Sequence, residues 1–258
     1  MERPKYLEYR HRRDQITVYK VNRTTVTTLE KPGAALLRLV GRKTSAKRET
    51  YHEEWMVELR TTDVRPNYSA LVKIQVTEAA RLVKGEDVGY AGMTDPKNEF
   101  LNETVDRFGI LTEHHGTLPT PHLVVFPEAP QATGGEWENQ RQEMLAVYAP
   151  EGSLKGHEPM SIVYRGRVDS YGEINGVEYA DISLSGAGKR GEEGDPTWQE
   201  FTVIGNVRFA VRGGHMLTAK ITRSLATHLD QHVLTTTCEE EFAQSSQGTE
   251  ESVGGMRI

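Results

Sequence analysis

The sequence contains a single cysteine, Cys238, among its 258 residues. One thiol cannot form an internal disulfide or a cysteine-only metal site, and it fits a reducing compartment. No window approaches the roughly 18 consecutive apolar residues of a membrane-spanning helix, and the polar stretch after Met1 lacks the apolar segment of a secretory signal. These absences predict a cytoplasmic protein that does not span a membrane.

A basic excess is also missing, because 31 lysine and arginine residues face 37 aspartate and glutamate residues, which gives a formal charge of -6. Proteins that neutralise many phosphates usually carry a positive excess. We therefore expect an acidic protein without a nucleic-acid partner. The hydrophobic fraction of 36% is sufficient for a globular core.

The abundant signal is that of extended strands. The segment from Gln15 to Leu29 is dense in Thr, Val, Ile and Tyr, residues that suit a half-buried pleated surface. Ile16 and Val18 share one face of this strand, whereas Tyr19 shares the other with the next valine. This change of parity predicts a β-bulge or burial on both faces.

Turn signals separate a series of further predicted strands. These strands are residues 35–43, 51–62, 71–83, 137–148, 160–169, 177–184, 198–211, 216–228 and 232–242. Residues 77–84 could instead form a short helix, whereas residues 85–99 and 185–196 are expected to be loops. Asn175-Gly176 and Gly213-Gly214 supply the positive φ angles of tight hairpins. The pattern predicts an all-β protein, a long antiparallel meander that forms a curled half-barrel or two apposed sheets.

A segment rich in proline and glycine, residues 117–135, is the best candidate for a boundary. It would connect an N-terminal β half, residues 1–116, to a C-terminal β half, residues 136–243. Residues 244–258 are small and polar, so we expect a flexible tail. Because 258 residues lie near the upper end of what one core organises, both halves could still form one structural domain.

Four segments carry a resemblance to a known group of bacterial proteins. They are YLEYRHRRDQITVYKVNRTTVT from Tyr6, the Asp106-Arg107-Phe108-Gly109 strand, the FPEAP turn from Phe126, and FAVRGGHMLTAKITRS from Phe209. Together they resemble the curled antiparallel sheets of the LolA and LolB lipoprotein carriers and their uncharacterised relatives. The resemblance implies an open half-barrel whose apolar concave face binds hydrophobic ligands or lipid-modified proteins.

Two histidines offer the best spacing for a metal site. His228 and His232 are four residues apart, which places both on one face of a helix, and Asp230 could be a third ligand. If the segment is a hairpin, the two imidazoles could still approach across it. No nucleophile elbow or P-loop occurs, and the glycines from Gly186 to Gly191 match a dinucleotide pattern without the helix that a phosphate site needs.

Large aromatic residues on predicted strands either fill a core or line a ligand pocket. The candidates for ligand binding are Trp55, Trp137, Trp198 and Phe209. Our leading hypothesis is a non-enzymatic β scaffold, without a cofactor, that binds a protein partner or an apolar ligand in or on the curled sheet. The alternatives are a metal-dependent or carboxylate-based hydrolase and a self-assembling structural protein that pairs through its sheet edges as a homo-oligomer.

Overall fold

The computed structural model describes residues 3–30, 47–83, 86–90, 95–115, 120–150, 152–230 and 232–249. These residues form one large antiparallel sheet and contain no α-helix, which confirms the predicted all-β meander. The strands are β1 (Gln15–Glu30), β2 (Lys47–Val64), β3 (Ala70–Val83), β4 (Glu86–Asp87), β5 (Phe100–Val105), β6 (Leu111–His115), β7 (Glu136–Tyr148), β8 (Leu154–Ile174), β9 (Val177–Arg190), β10 (Thr197–Ala210), β11 (His215–Leu229) and β12 (Val233–Thr249).

The strand order is β6-β5-β3-β2-β1-β12-β11-β10-β9-β8-β7, and the short β4 pairs with the end of β3. Nearly every neighbour in the sheet is also a neighbour in the chain. The β3–β5 pair skips only the two-residue β4. The long-range exception is the β1–β12 ladder, which pairs residues from Gln15↔Thr249 to Glu30↔Val233 and joins the two halves into one sheet. The sheet is curled but not closed, and β6 and β7 form its two ends.

Several local predictions can be compared with the strands. The register shifts between Val18 and Tyr19 because the pairing skips Ser245, so the bulge lies in β12 and not in β1. The other alternative, burial on both faces, describes β1, because Ile16 and Tyr19 point to opposite faces and both are buried. Asn175 and Gly176 both have positive φ angles, 51° and 78°, in the two-residue β8–β9 hairpin. Residues 77–83 continue β3 as a strand. The predicted strand at residues 35–43 lies outside the described residues.

Several strands extend beyond their predicted ends, and two of them do so into segments that were expected to be a tail or a loop. β12 continues to Thr249, through the first part of the segment expected to be a flexible tail, because the beginning of β1 offers it a pairing partner. β9 continues to Arg190, although residues 185–190 were expected to be a loop. A Cβ on Gly188 would lie 2.6 Å from the Ser161 carbonyl oxygen, so this strand uses glycine where the curled sheet brings neighbours close.

The inner face of the sheet is filled by the chain itself. Residues 3–13, here called the N-terminal segment, and the connector, residues 120–135, both pack against it. Leu7 is 1% exposed and Val124 is fully buried. Backbone bonds fix both segments, from Tyr9 N to Arg107 O (2.6 Å) and from Phe126 N to Phe108 O (2.7 Å). The connector therefore contributes to a core that both halves share.

Candidate functional site

Two of the predicted ligand-binding aromatics lie in separate parts of the core. Phe209 is fully buried, with its ring 5.3 Å from that of Tyr9 and 4.6 Å from that of Phe126. Trp55 is 5% exposed and lies beneath the guanidinium of Arg23, 4.3 Å from the ring centroid. Its Nε1 donates a hydrogen bond to the Tyr90 hydroxyl at 2.9 Å.

The other two aromatics contact different elements again. Trp137 Nε1 donates to the Val125 carbonyl at 2.8 Å, so this ring attaches the connector to β7. Trp198 stacks on His228 with ring centroids 3.4 Å apart, and Lys189 Nζ lies 4.6 Å from its ring. The structure does not bring the four side chains together, so their role in ligand binding stays a prediction.

The two candidate metal ligands occupy the β11–β12 hairpin. Leu229 N donates to His232 O at 2.8 Å, and His228 pairs with Val233 across the hairpin. Because successive strand residues alternate in direction, His228 and His232 project to opposite faces. No set of three His, Cys, Asp or Glu side chains among the described residues could hold a metal ion.

A layer of buried charge crosses the inner face between β2 and β11. The Glu240 carboxylate is 1% exposed and accepts hydrogen bonds from Arg23 Nε (2.9 Å) and Nη2 (2.6 Å). It also accepts a bond from Arg223 Nη1. Glu53 adds a second carboxylate, 4.0 Å from Arg23. Partial burial lowers the pKa of Arg223, whose side chain is 28% exposed.

The charged layer continues on β7 and β8. The Tyr164 hydroxyl donates to Glu143 at 2.7 Å, and Arg141 Nε lies 3.4 Å from the same carboxylate. Arg141 Nη1 also donates to the His122 carbonyl at 3.2 Å. Every charge in this layer therefore has an opposite partner, which is the arrangement of a structural network.

Beside this layer lies a pair of buried ionisable groups that the sequence did not single out. Glu103 on β5 is fully buried, and its carboxylate accepts bonds from His122 Nδ1 (2.8 Å) and Thr120 Oγ1 (2.9 Å). The His122 ring meets the rings of Tyr9 and His11, with centroids 5.1 and 5.5 Å away.

This pair borders a small cleft, here called the histidine cleft. Its lining includes His11, His122 and His215. Its volume of about 30 Å³ admits one or two water molecules. His11 Nε2 and His215 Nδ1 are buried, and neither has a hydrogen-bond partner in the part of the chain that the structure describes. Burial, together with the neighbouring His122, lowers the pKa of His11 from 6.5 to about 3. The cleft thus has room for water but disfavours a proton on His11, and it is too small for a larger substrate.

A much larger depression than the histidine cleft lies on the outer face of the sheet and is called here the outer groove. It spans β1 and β8 to β12, with a volume of about 660 Å³. Asn22, Glu241, Lys220 and Asn206 form one cross-strand row along its floor. Bulges in β8, β11 and β12 adjoin the groove, where the pairing skips Asp169, Leu217 and Ser245. Because bulges bend strands and increase their twist, we attribute the hollow to these irregularities.

The outer groove presents both signs of charge in matched pairs. Arg208 Nε contacts Asp181 Oδ1 at 2.8 Å, and Lys220 Nζ contacts Glu241 Oε1 at 2.7 Å. These hydrogen bonds raise the pKa of Arg208 and of Lys220. The sequence predicted only solvent-exposed strand residues at these positions, because no local pattern reveals a groove on the outer face of the sheet.

Comparisons with known proteins add no relative to this description. No protein-family model matches the chain, and a search of curated proteins found no similar sequence. Within the described ranges, no helix is long and apolar enough to cross a membrane.

Proposed function

We propose that this chain is a non-enzymatic binding protein that recognises a protein partner through the outer groove. The observation that carries the proposal is the hollow itself, a groove of about 660 Å³ lined by balanced charges and bent by three bulged strands. Bulges recur near functional sites, where they aim side chains.

The chemistry of the groove favours a polypeptide over other ligands. Carboxylates such as Asp169 and Asp181 stand among the cations, so a phosphate backbone would meet repulsion. The inner face, where the resemblance to lipoprotein carriers places an apolar ligand, is occupied by the N-terminal segment and the connector. A partner surface that alternates in charge would complement the groove and gain specificity from its pattern.

A charge-swap experiment tests this proposal. Lys220→Glu combined with Glu241→Lys keeps the cross-strand ion pair but inverts the charges that a partner would meet. We expect the purified double variant to fold normally and to bind the partner at least about tenfold more weakly, because like charges across an interface cost several kcal/mol. The measurement is quantitative affinity capture, followed by titration with the captured partner.

The matched control is a second cross-strand pair on the same face. Arg165 and Glu138 are directly paired on β8 and β7, 2.9 Å apart, and neither lines the groove. Swapping their charges should leave partner binding unchanged. Failure of the wild type to retain any partner, or equal retention by the groove variant, would contradict the proposal.

A further inference from the structure

The N-terminal segment is held on the inner face by interactions at separate points along its length. Lys5 pairs with Gln131 by two backbone bonds (both 2.8 Å), its Nζ contacts Glu178 Oε1 at 2.8 Å, and the backbone N–H groups of Tyr9 and Arg10 donate to other elements at 2.6 and 2.9 Å. Leu7 and Tyr9 are its fully packed apolar side chains. Beneath Tyr9 lies the ring of Phe209 at 5.3 Å, so removal of the segment would uncover an apolar surface.

The same segment places His11 in the histidine cleft. The His11 ring lies 5.5 Å from the His122 ring, and its Nε2 is buried without a hydrogen-bond partner among the described residues. A proton on this nitrogen would have no hydrogen-bond acceptor among the described residues, and it would face a second imidazole. The ionisable groups around the cleft are Tyr9 and Arg10 on the same segment, Tyr19 on β1, Glu103 on β5, His122 on the connector, Arg141 on β7 and His215 at the start of β11.

We propose that the N-terminal segment is an acid-sensitive plug, which leaves the inner face and exposes the apolar surface beneath it when His11 gains a proton. The connector and the sheet remain folded, because they keep their own backbone bonds and the buried charge layer. The proposal concerns the inner face and does not depend on the partner suggested for the outer groove.

The size of the effect follows from the difference in proton affinity between the two positions of His11. The pKa of His11 is about 3 in the cleft and 6.5 in water, so the released segment binds a proton that the held segment excludes. The held position of the segment has its full stability relative to the released position above pH 6.5, and it loses stability as the pH falls towards 3. Between pH 7.5 and pH 5, protonation should increase the opening equilibrium about 30-fold.

Amide hydrogen exchange on the full chain measures this opening directly. Protection factors, corrected for the intrinsic effect of pH, are compared at pH 7.5 and pH 5. We expect protection of the Lys5, Tyr9 and Arg10 amides to fall about 30-fold, whereas amides within the β10–β11 ladder keep theirs. Binding of an apolar fluorescent dye should rise over the same pH range.

Variants at His11 separate release of the plug from general acid unfolding. His11→Phe keeps a ring in the cleft but cannot be protonated, and His11→Gln serves as a second variant if the larger ring disturbs folding. In both, protection of the segment should change less than about threefold between the two pH values. His157→Gln, at an exposed position, should behave as the wild type. Equal loss of protection in the His11 variants, or no loss in the wild type, would overturn the proposal.

Discussion

Glu240→Gln is expected to lower the free energy of unfolding by about 3–5 kcal/mol, one of the two largest effects of a single substitution that the structure predicts. The glutamine has nearly the same shape but no charge. Arg23 and Arg223, whose side chains are 20% and 28% exposed, would then lie close together with no carboxylate in direct contact with both. Removing one member of a buried charge pair is costly because the remaining charges have lost their hydration without compensation.

Denaturant unfolding at neutral pH measures this effect, and the next residue in the chain is its control. Glu241 lies on the outer face, where it pairs with Lys220 and its side chain is 53% exposed. Glu241→Gln should change the stability by less than about 1 kcal/mol, since exposed ion pairs contribute little. Similar losses in both variants would show that the Glu240 carboxylate is not the centre of a buried layer.

Gly109→Ala is expected to destabilise the protein by about 3 kcal/mol or more, because the new methyl group would collide with backbone that cannot move freely. Gly109 has a φ angle of +89°, and a Cβ there would lie 2.4 Å from Val124 O and 2.7 Å from Tyr9 Cε2. The substitution thus acts at the point where the connector and the N-terminal segment both meet the turn before β6. Thermal or denaturant unfolding measures the loss.

Gly134→Ala controls for the backbone conformation alone. Gly134 has a similar φ angle of +82°, but a Cβ at this position meets no described atom within 4 Å. We expect a cost of about 1–2 kcal/mol, the ordinary penalty for a side chain in the left-handed region. If both glycine variants lose the same stability, the contact between Gly109 and the connector does not restrict packing.

The strands were predictable because their chemistry is local. The density of Thr, Val and Ile in β1 and the glycine turn at Asn175-Gly176 each act within a few residues. The extension of β12 was not predictable from its own composition. Its last residues are small and polar, and they become a strand because the beginning of β1 supplies unpaired backbone groups opposite them.

The candidate sites were missed for a different reason. Glu103, His122 and His11 come from β5, the connector and the N-terminal segment, so no spacing in the sequence links them. The prolines of the connector indicated a boundary, although proline also suits a buried extended segment that takes its hydrogen bonds from side chains such as Trp137. The outer groove depends on where the strands bend, which the alternation of residues does not specify.

The β1–β12 ladder also determines how quickly this chain can fold. Most strand pairs are hairpins between neighbours, whereas Arg23 and Glu240 meet across 217 positions of sequence. Bringing such distant segments together costs chain entropy before any contact compensates for it, so this ladder should form after the hairpins. Until then β1 and β12 would each be an unpaired edge strand of its own half. The pairing of β1 with β12 would therefore limit the rate of refolding.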